Sequence, residues 1–158
     1  MKNITPIGTI YSPHQTIENM PIQPKGAQDI EGYILMDKQY LAGLQNLEGF
    51  SHIYLLYSFH KATRTELTVK PFMDKQDRGV FATRSPLRPN HIGISIVRLK
   101  NIHENKLIVQ DIDVLNETPL LDIKPYIAQF DHVADSHSGW MNATDTEIKD
   151  KRSDHRFK

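Results

Sequence analysis

Apolar and polar residues alternate with a period of two over several short stretches of this chain, each bounded by Pro, Gly or polar residues. That pattern predicts strands far more often than helices. The sharpest alternation runs from His52 to His60, where Ile53, Leu55, Tyr57 and Phe59 share one face. The other face carries Tyr54 and Leu56, so both faces are largely apolar, as expected of a central strand. Ile4 to Tyr11 reads as a first strand ended by Pro13, and Glu31 to Met36 as a second with Tyr33 and Leu35 on one face. Ile92 to Ile102 and Leu107 to Val114 form an expected hairpin across the polar turn His103-Glu104-Asn105. Leu120 to Ile123 and Ile127 to Phe130 are shorter strand candidates.

Helical spacing is clearest in one place. Tyr40, Leu41 and Leu44 recur at helical intervals after Asp37, which is suited to capping a short helix. Thr16 to Gln28 contains Pro21, Pro24 and Gly26 and is expected to be a loop. From Thr144 to Lys158 most residues are charged and only Ile148 and Phe157 are apolar, so this tail is expected to fray or to dock on a partner subunit. The elements together predict a mainly β fold: a single-domain antiparallel β-barrel with short helices, spanning residues 1–143 and followed by the charged tail 144–158.

Composition narrows the classes. A chain of 158 residues fits one domain, and 39% hydrophobic with 24% charged residues suits a globular protein. No apolar run approaches the roughly 20 residues of a membrane span. Thr5, Pro6 and Gly8 interrupt the place where a secretory leader would be apolar, so a soluble cytoplasmic protein is the expectation. Cysteine is absent, which removes disulfides, a thiolate nucleophile and cysteine metal sites. Lys plus Arg (19) equals Asp plus Glu (19), so any cationic surface for nucleic acid must be local. The closest pairs of the eight glycines are six positions apart and no Gly-Lys pair occurs, so neither GxGxxG nor a P-loop can be written. A doubly wound nucleotide-binding fold is therefore not expected.

Two segments concentrate chemistry. Arg78 to Gly93, RGVFATRSPLRPNHIG, sets Arg78, Arg84 and Arg88 among Pro86 and Pro89, with Thr83, Ser85 and Asn90 as neutral donors and acceptors. Prolines stiffen the loop, and arginine forks match carboxylate or phosphate. The same residues would also make an ordinary surface loop. Asp111 to Tyr126, DIDVLNETPLLDIKPY, interleaves Asp111, Asp113, Glu117 and Asp122 with apolar residues. Its carboxylates suit an adenine, a ribose or an amino group, or are simply exposed. His52 and His60 are the best metal candidates, but residues that far apart on a strand lie about 26 Å from each other. No HExxH is present, and no metal site is expected.

In order along the chain, IGTIYSP (Ile7–Pro13), FSHIYLLYSFH (Phe50–His60), the arginine-rich loop and NETPLLDIKPY (Asn116–Tyr126) resemble the signature blocks of the TrmO (YaeB/TsaA-like) family. The resemblance implies an S-adenosylmethionine-dependent tRNA methyltransferase acting on N6 of threonylcarbamoyl-adenosine next to the anticodon. It also implies a homodimeric antiparallel β-barrel rather than a Rossmann-type methyltransferase. By position it places cofactor contacts at Pro24, Lys25 and Gly26, at His60 and Lys61, at Arg84 and Ile94, and at Asn116, Glu117, Thr118 and Pro119. Arg84, Arg88 and Asn90 would meet the tRNA or the threonylcarbamoyl carboxylate, and Asp122 or Tyr126 would act on the acceptor's proton. Where family members commonly read Asp-Gly-Thr-Pro, this chain has Asn116-Glu117-Thr118-Pro119. The glycine's access to positive φ is lost there, and asparagine, which tolerates left-handed backbone, is the expected stand-in. The additional C-terminal domain of some members is not expected in this chain. Alternatives are a barrel that binds S-adenosylmethionine or RNA without turnover, and a methyltransferase with another acceptor.

Overall fold

A computed structural model, describing residues 1–157, closes six strands into an antiparallel barrel. The strands are β1 (Gly8–Tyr11), β2 (Glu31–Met36), β3 (His52–Ser58), β6 (Ile92–His103), β7 (Lys106–Gln110) and β8 (Thr118–Pro125). Their order around the barrel is β1-β2-β7-β6-β3-β8, and β1 pairs with β8 to close it. Two short strands, β4 (Thr68–Val69) and β5 (Arg78–Gly79), form a separate ribbon. Closure leaves the barrel itself with no free edge.

The alternation forecast for β3 holds for its inner face, where Ile53, Leu55 and Tyr57 are buried. Its outer face is only half-buried: Tyr54 and Leu56 lie opposite Ile96 and Ile94, which are themselves exposed. A closed barrel covers one face of each strand, so β3 is central without being covered on both sides. Phe59 lies past the strand end and stacks edge-on against Tyr57 at 5.5 Å. The β6–β7 hairpin turns on Glu104 and Asn105, with Glu104 at φ 55. The core combines inward residues of every barrel strand, among them Ile10, Ile34, Leu55, Val97, Leu107 and Leu120, with Ile112 and Val114 plugging one end.

Three expectations change. Ile127 to Phe130 is no strand: Ala128–Asp131 is a single helical turn (α1), whose Asp131 carboxylate accepts the Ile127 amide at 2.8 Å. Phe130 is left 77% exposed, because no sheet lies beside it. The helix expected after Asp37 is a 3-10 helix, Lys38–Leu44, without a side-chain cap. The charged tail is ordered against its own chain. Thr144 and Glu147 form a reciprocal capping box that starts α2 (Asp145–Asp150). Pro21 bridges to Arg152, and Phe157 packs on Val69, Val80 and Leu87 as a second small core. Lys158, the last residue of the expected tail, lies outside the described residues. Among those residues no helix is long and apolar enough to cross a membrane.

Candidate active site

An open cleft of about 950 Å³ lies between the barrel and the second core, a volume within the range of small-molecule sites. The end of β3 contributes Tyr57, Phe59, His60 and Lys61, and the start of β6 contributes Gly93 and Ile94. The arginine-rich loop contributes Phe81, Thr83, Arg84 and Arg88, the stretch after β7 Asp113 to Leu115, and β8 Thr118. Trp140, Met141, Ser153, Asp154 and Phe157 form the wall from the C-terminal segment.

The arginine-rich loop is built, not floppy. Thr83 Oγ1 donates to the Val80 carbonyl at 2.8 Å and accepts the Ser85 amide, and Ser85 Oγ accepts the Leu87 amide. Arg88 Nη1 donates to the Thr83 carbonyl at 2.9 Å, clasping the turn, and Leu87 is fully buried beneath it. His91 Nδ1 lies 2.8 Å from the Pro86 carbonyl and must donate to it. Such self-bonding fixes the loop that presents Arg84. Arg84 is exposed, donates to Gln23 Oε1 at 2.7 Å, and so links the first loop to the cleft. Arg78 is committed elsewhere, to Asp74 at 2.6 Å and to the face of Trp140.

The cleft gathers His60, Lys61, Arg84, Arg88, Ile94 and Thr118 from the residues expected on sequence grounds. Others stand beside it or away from it. Gly26 is buried beneath the carbonyls of Ile148 and Lys149, and Lys25 pairs with Asp145 at 2.8 Å. Gly26 is thus packed against α2, Lys25 is exposed and tied to it by that ion pair, and the adjacent Gln23 lines the cleft. Asn116 pins two loops together, accepting the Ser12 amide at 3.0 Å and donating its own amide to the His14 carbonyl. The left-handed position falls on Glu117, at φ 63, and not on Asn116. Pro119 pairs with Thr9 across the β1–β8 seam, and Asn90 is exposed outside the lining. Asp122 accepts the Ile123 amide and Lys124 and borders a different cavity, and Tyr126 packs against His52 and Tyr54. Among the described residues no cluster of His, Asp or Glu could hold a metal.

Sequence reasoning named Asp113 only as one carboxylate of its segment and missed the hydroxyls that hold it. Ser95 Oγ donates to Asp113 Oδ1 at 2.6 Å, and Tyr57 Oη lies 3.0 Å from Ser95 Oγ. Burial, opposed by the Ser95 hydrogen bond, raises the Asp113 carboxyl to about 6. Burial and the Asp113 charge push the Tyr57 phenol far up, so it stays protonated. Burial, then Lys61, lowers His60 below the usual imidazole range, so it is neutral near pH 7. A usable signal lay in β6: Gly93, Ser95 and Val97 face inward while Ile94 and Ile96 face out, an inverted pattern. The Tyr57 ring fills the space, for a Cβ on Gly93 would collide with it. The aromatic rim of Phe81 and Trp140 was likewise not anticipated.

A profile of the tRNA-methyltransferase O N-terminal domain matches residues 9–132. A protein of Pyrococcus abyssi, described as a probable S-adenosyl-L-methionine-binding protein, is 45% identical over 152 residues, 96% of this chain and 83% of its own. The human tRNA (adenine(37)-N6)-methyltransferase is 42% identical over 91 residues, which cover 56% of this chain and 21% of that protein. The crystal structure of TrmO from Pseudomonas aeruginosa superposes with a TM-score of 0.75 at 37% identity. That match covers 89% of this chain but only 62% of the crystallised one, so this chain spans less than two thirds of it.

Proposed function

Because the chain belongs to the tRNA-methyltransferase O family, we propose that it transfers the methyl group of S-adenosylmethionine to N6 of an adenine in tRNA. The acceptor we favour is threonylcarbamoyl-adenosine next to the anticodon. The carrying observation is a cleft whose aromatic side chains, arginines and Asp113 carboxylate converge from segments that are far apart in sequence.

The residues present fit the cofactor. Phe81 is 74% exposed and Trp140, whose Nε1 donates to the Ala82 carbonyl at 2.8 Å, lines the same cleft; each offers a flat apolar surface suited to an adenine ring. Arg84 and Lys61 can take the methionyl carboxylate, and the neutral His60 can hydrogen bond without repelling a sulfonium. Ile94 and Leu115 add apolar side chains to the cleft lining. Bound S-adenosylmethionine supplies an electrophilic methyl group, and the protein's part is to hold acceptor and donor in line. Arg88, which clasps its loop, and the exposed Asn90 would meet tRNA phosphate or the threonylcarbamoyl carboxylate. Pro24, Lys25, Gly26, Asn116, Glu117 and Pro119 lie outside the cleft lining and make no direct contact in this reading. Asp122 and Tyr126 take no part in the chemistry proposed, since neither lines this cleft.

We further propose a cytoplasmic homodimer. The outer face of β3 and β6, with Tyr54, Leu56, Ile94 and Ile96, is apolar enough to be covered by a second copy. The competing reading is a binding module without turnover, favoured by the zero net charge and by the Pyrococcus relative's description. Incubating the protein with labelled S-adenosylmethionine and tRNA lacking the methyl group, followed by nucleoside mass spectrometry, decides between them. Label on threonylcarbamoyl-adenosine is expected. Label on another nucleoside would overturn the proposed acceptor, and binding without transfer would overturn the enzyme.

A further inference from the structure

Asp113 is a half-buried carboxylate in the cleft lining, flanked by the buried Ile112 and Val114. Its partners define a direction. Ser95 has one hydroxyl proton and donates it to Asp113 Oδ1. The Tyr57 hydroxyl, 3.0 Å from Ser95 Oγ, must therefore donate to serine and cannot accept from it. Two hydroxyls in line thus hold one carboxylate oxygen, from β3 and β6 behind it. The other oxygen, Oδ2, has no hydrogen bond from another described residue, on a side chain that lines the cleft. It is left free to accept from whatever occupies that space, on a carboxylate already held through Oδ1.

We infer that Asp113 is the general base of the methyl transfer, accepting the N6 proton of the acceptor adenine on Oδ2. This rests on the methyltransferase function proposed above. An adenine N6 that also carries a carbamoyl group has its lone pair drawn into both the ring and the carbonyl, so it is a poor nucleophile until its proton leaves. The nitrogen–carbon bond forms as the carbon–sulfur bond breaks. The breaking bond's electron pair remains on sulfur as a neutral thioether, and the N6 proton passes to Asp113 Oδ2 and then to water. No further reactant is needed.

The surroundings suit that role. Burial places the carboxyl near neutrality, making it a stronger base than an exposed carboxylate while still ionised at pH 7.5. Tyr57 and Ser95 face it across the barrel strands, and Arg84 is the cation that most offsets the burial. His60, Lys61, Arg88 and Asp154 line the same cleft. His60 is the competing base. Thr118 Oγ1 gives its proton to the Leu115 carbonyl at 2.7 Å and so can only accept from His60 Nδ1, 3.4 Å away. That leaves His60 Nε2 as an acceptor.

Single-turnover methylation of tRNA from pH 5 to 8.5, by the wild type and by Asp113→Asn, Ser95→Ala and His60→Gln, separates the two. Cofactor binding by calorimetry and a carbon-13 carboxyl titration of the protein without methyl donor accompany it. The wild-type rate is expected to rise tenfold per pH unit and level off above about 6. Asp113→Asn should bind cofactor normally yet turn over roughly 10²- to 10⁴-fold more slowly with no break in its profile. Ser95→Ala keeps the carboxylate but loses a bond that favours its ionised form. It should therefore move the break, and the carboxyl titration, to higher pH, and it decides the matter if Asp113→Asn does not fold. Wild-type rates for Asp113→Asn, a Ser95→Ala break that does not move, or a break lost in His60→Gln but kept in Asp113→Asn would each overturn the inference. A wild-type chain that methylates no tRNA would instead overturn the function on which it rests.

Discussion

The same carboxylate should make the protein less stable than it could be, and Asp113→Asn measures by how much. Asparagine is nearly isosteric and its Oδ1 can still accept from Ser95, so the substitution removes a charge with little change in packing. Folding raises the carboxyl from 3.8 to about 6. Each unit corresponds to about 1.4 kcal/mol, giving about 3 kcal/mol as an upper bound. Asp113 is only partly buried and Oδ2 reaches the cleft, so about 1–3 kcal/mol is expected. The sign follows from proton binding. Below pH 3.8 both states are protonated and the group costs nothing. Between 3.8 and about 6 the unfolded chain has released the proton while the folded one holds it, so wild-type stability falls as pH rises. Above that window both are ionised and the loss is complete. Urea unfolding followed by circular dichroism at pH 4 and pH 8 should show the variant gaining on the wild type only at the higher pH. A thermal shift of about 3–9 °C at pH 8 corresponds to that gain. An advantage equal at both pH values, or a wild type more stable at pH 8, would refute the account of a buried, destabilising charge.

Other substitutions probe separate parts of the site. Gly93→Ala would drive a methyl group into the Tyr57 ring and toward Phe59 and should cost about 1–3 kcal/mol, whereas Gly79→Ala, with open space around it, should be neutral in the same melt. Glu117→Gly relieves a left-handed backbone at φ 63 and should raise stability by about 0.5–1 kcal/mol; a loss would show that the Glu117 side chain does more than tolerate the turn. Phe157→Ala opens the small core formed with Val69, Val80 and Leu87, and a loss of about 1–3 kcal/mol should appear in urea titration. Arg84→Ala should abolish methylation while leaving the melting curve unchanged, and undiminished turnover would remove Arg84 from the site.

The barrel was largely legible because its strands alternate cleanly and their turns carry polar residues. Glu31–Met36 is bounded as the pattern says, and the β6–β7 hairpin closes on its forecast turn. The parts that escaped share a physical cause. In β6 the inward positions are Gly93 and Ser95 because an aromatic ring from the neighbouring strand fills the barrel there, so hydrophobicity points the wrong way. Ile127 to Phe130 alternates well enough for a strand but has no neighbour to pair with, and the Asp131 carboxylate closes a turn instead. Periodicity registers neither event, since both depend on what stands opposite.

The tail shows the converse case, where composition misleads and a local motif does not. Its charges argue for fraying or docking on a partner, yet Thr144 and Glu147 stand at capping-box spacing and start α2. Arg156 then grips Asp154 with Nε and Nη2, donates to the Pro71 carbonyl at 3.0 Å and lies over the Phe72 ring. These contacts seat Phe157 beneath the arginine-rich loop, on the far side of the cleft from the barrel. The loop that offers Arg84 is therefore anchored by a small core of its own, separate from the barrel's. Loss of the Phe157 contact should loosen the loop while the barrel stays folded. For that reason cofactor affinity should respond to Phe157→Ala more steeply than the barrel's hydrogen exchange does, and parallel losses in both would show that the two cores unfold as one.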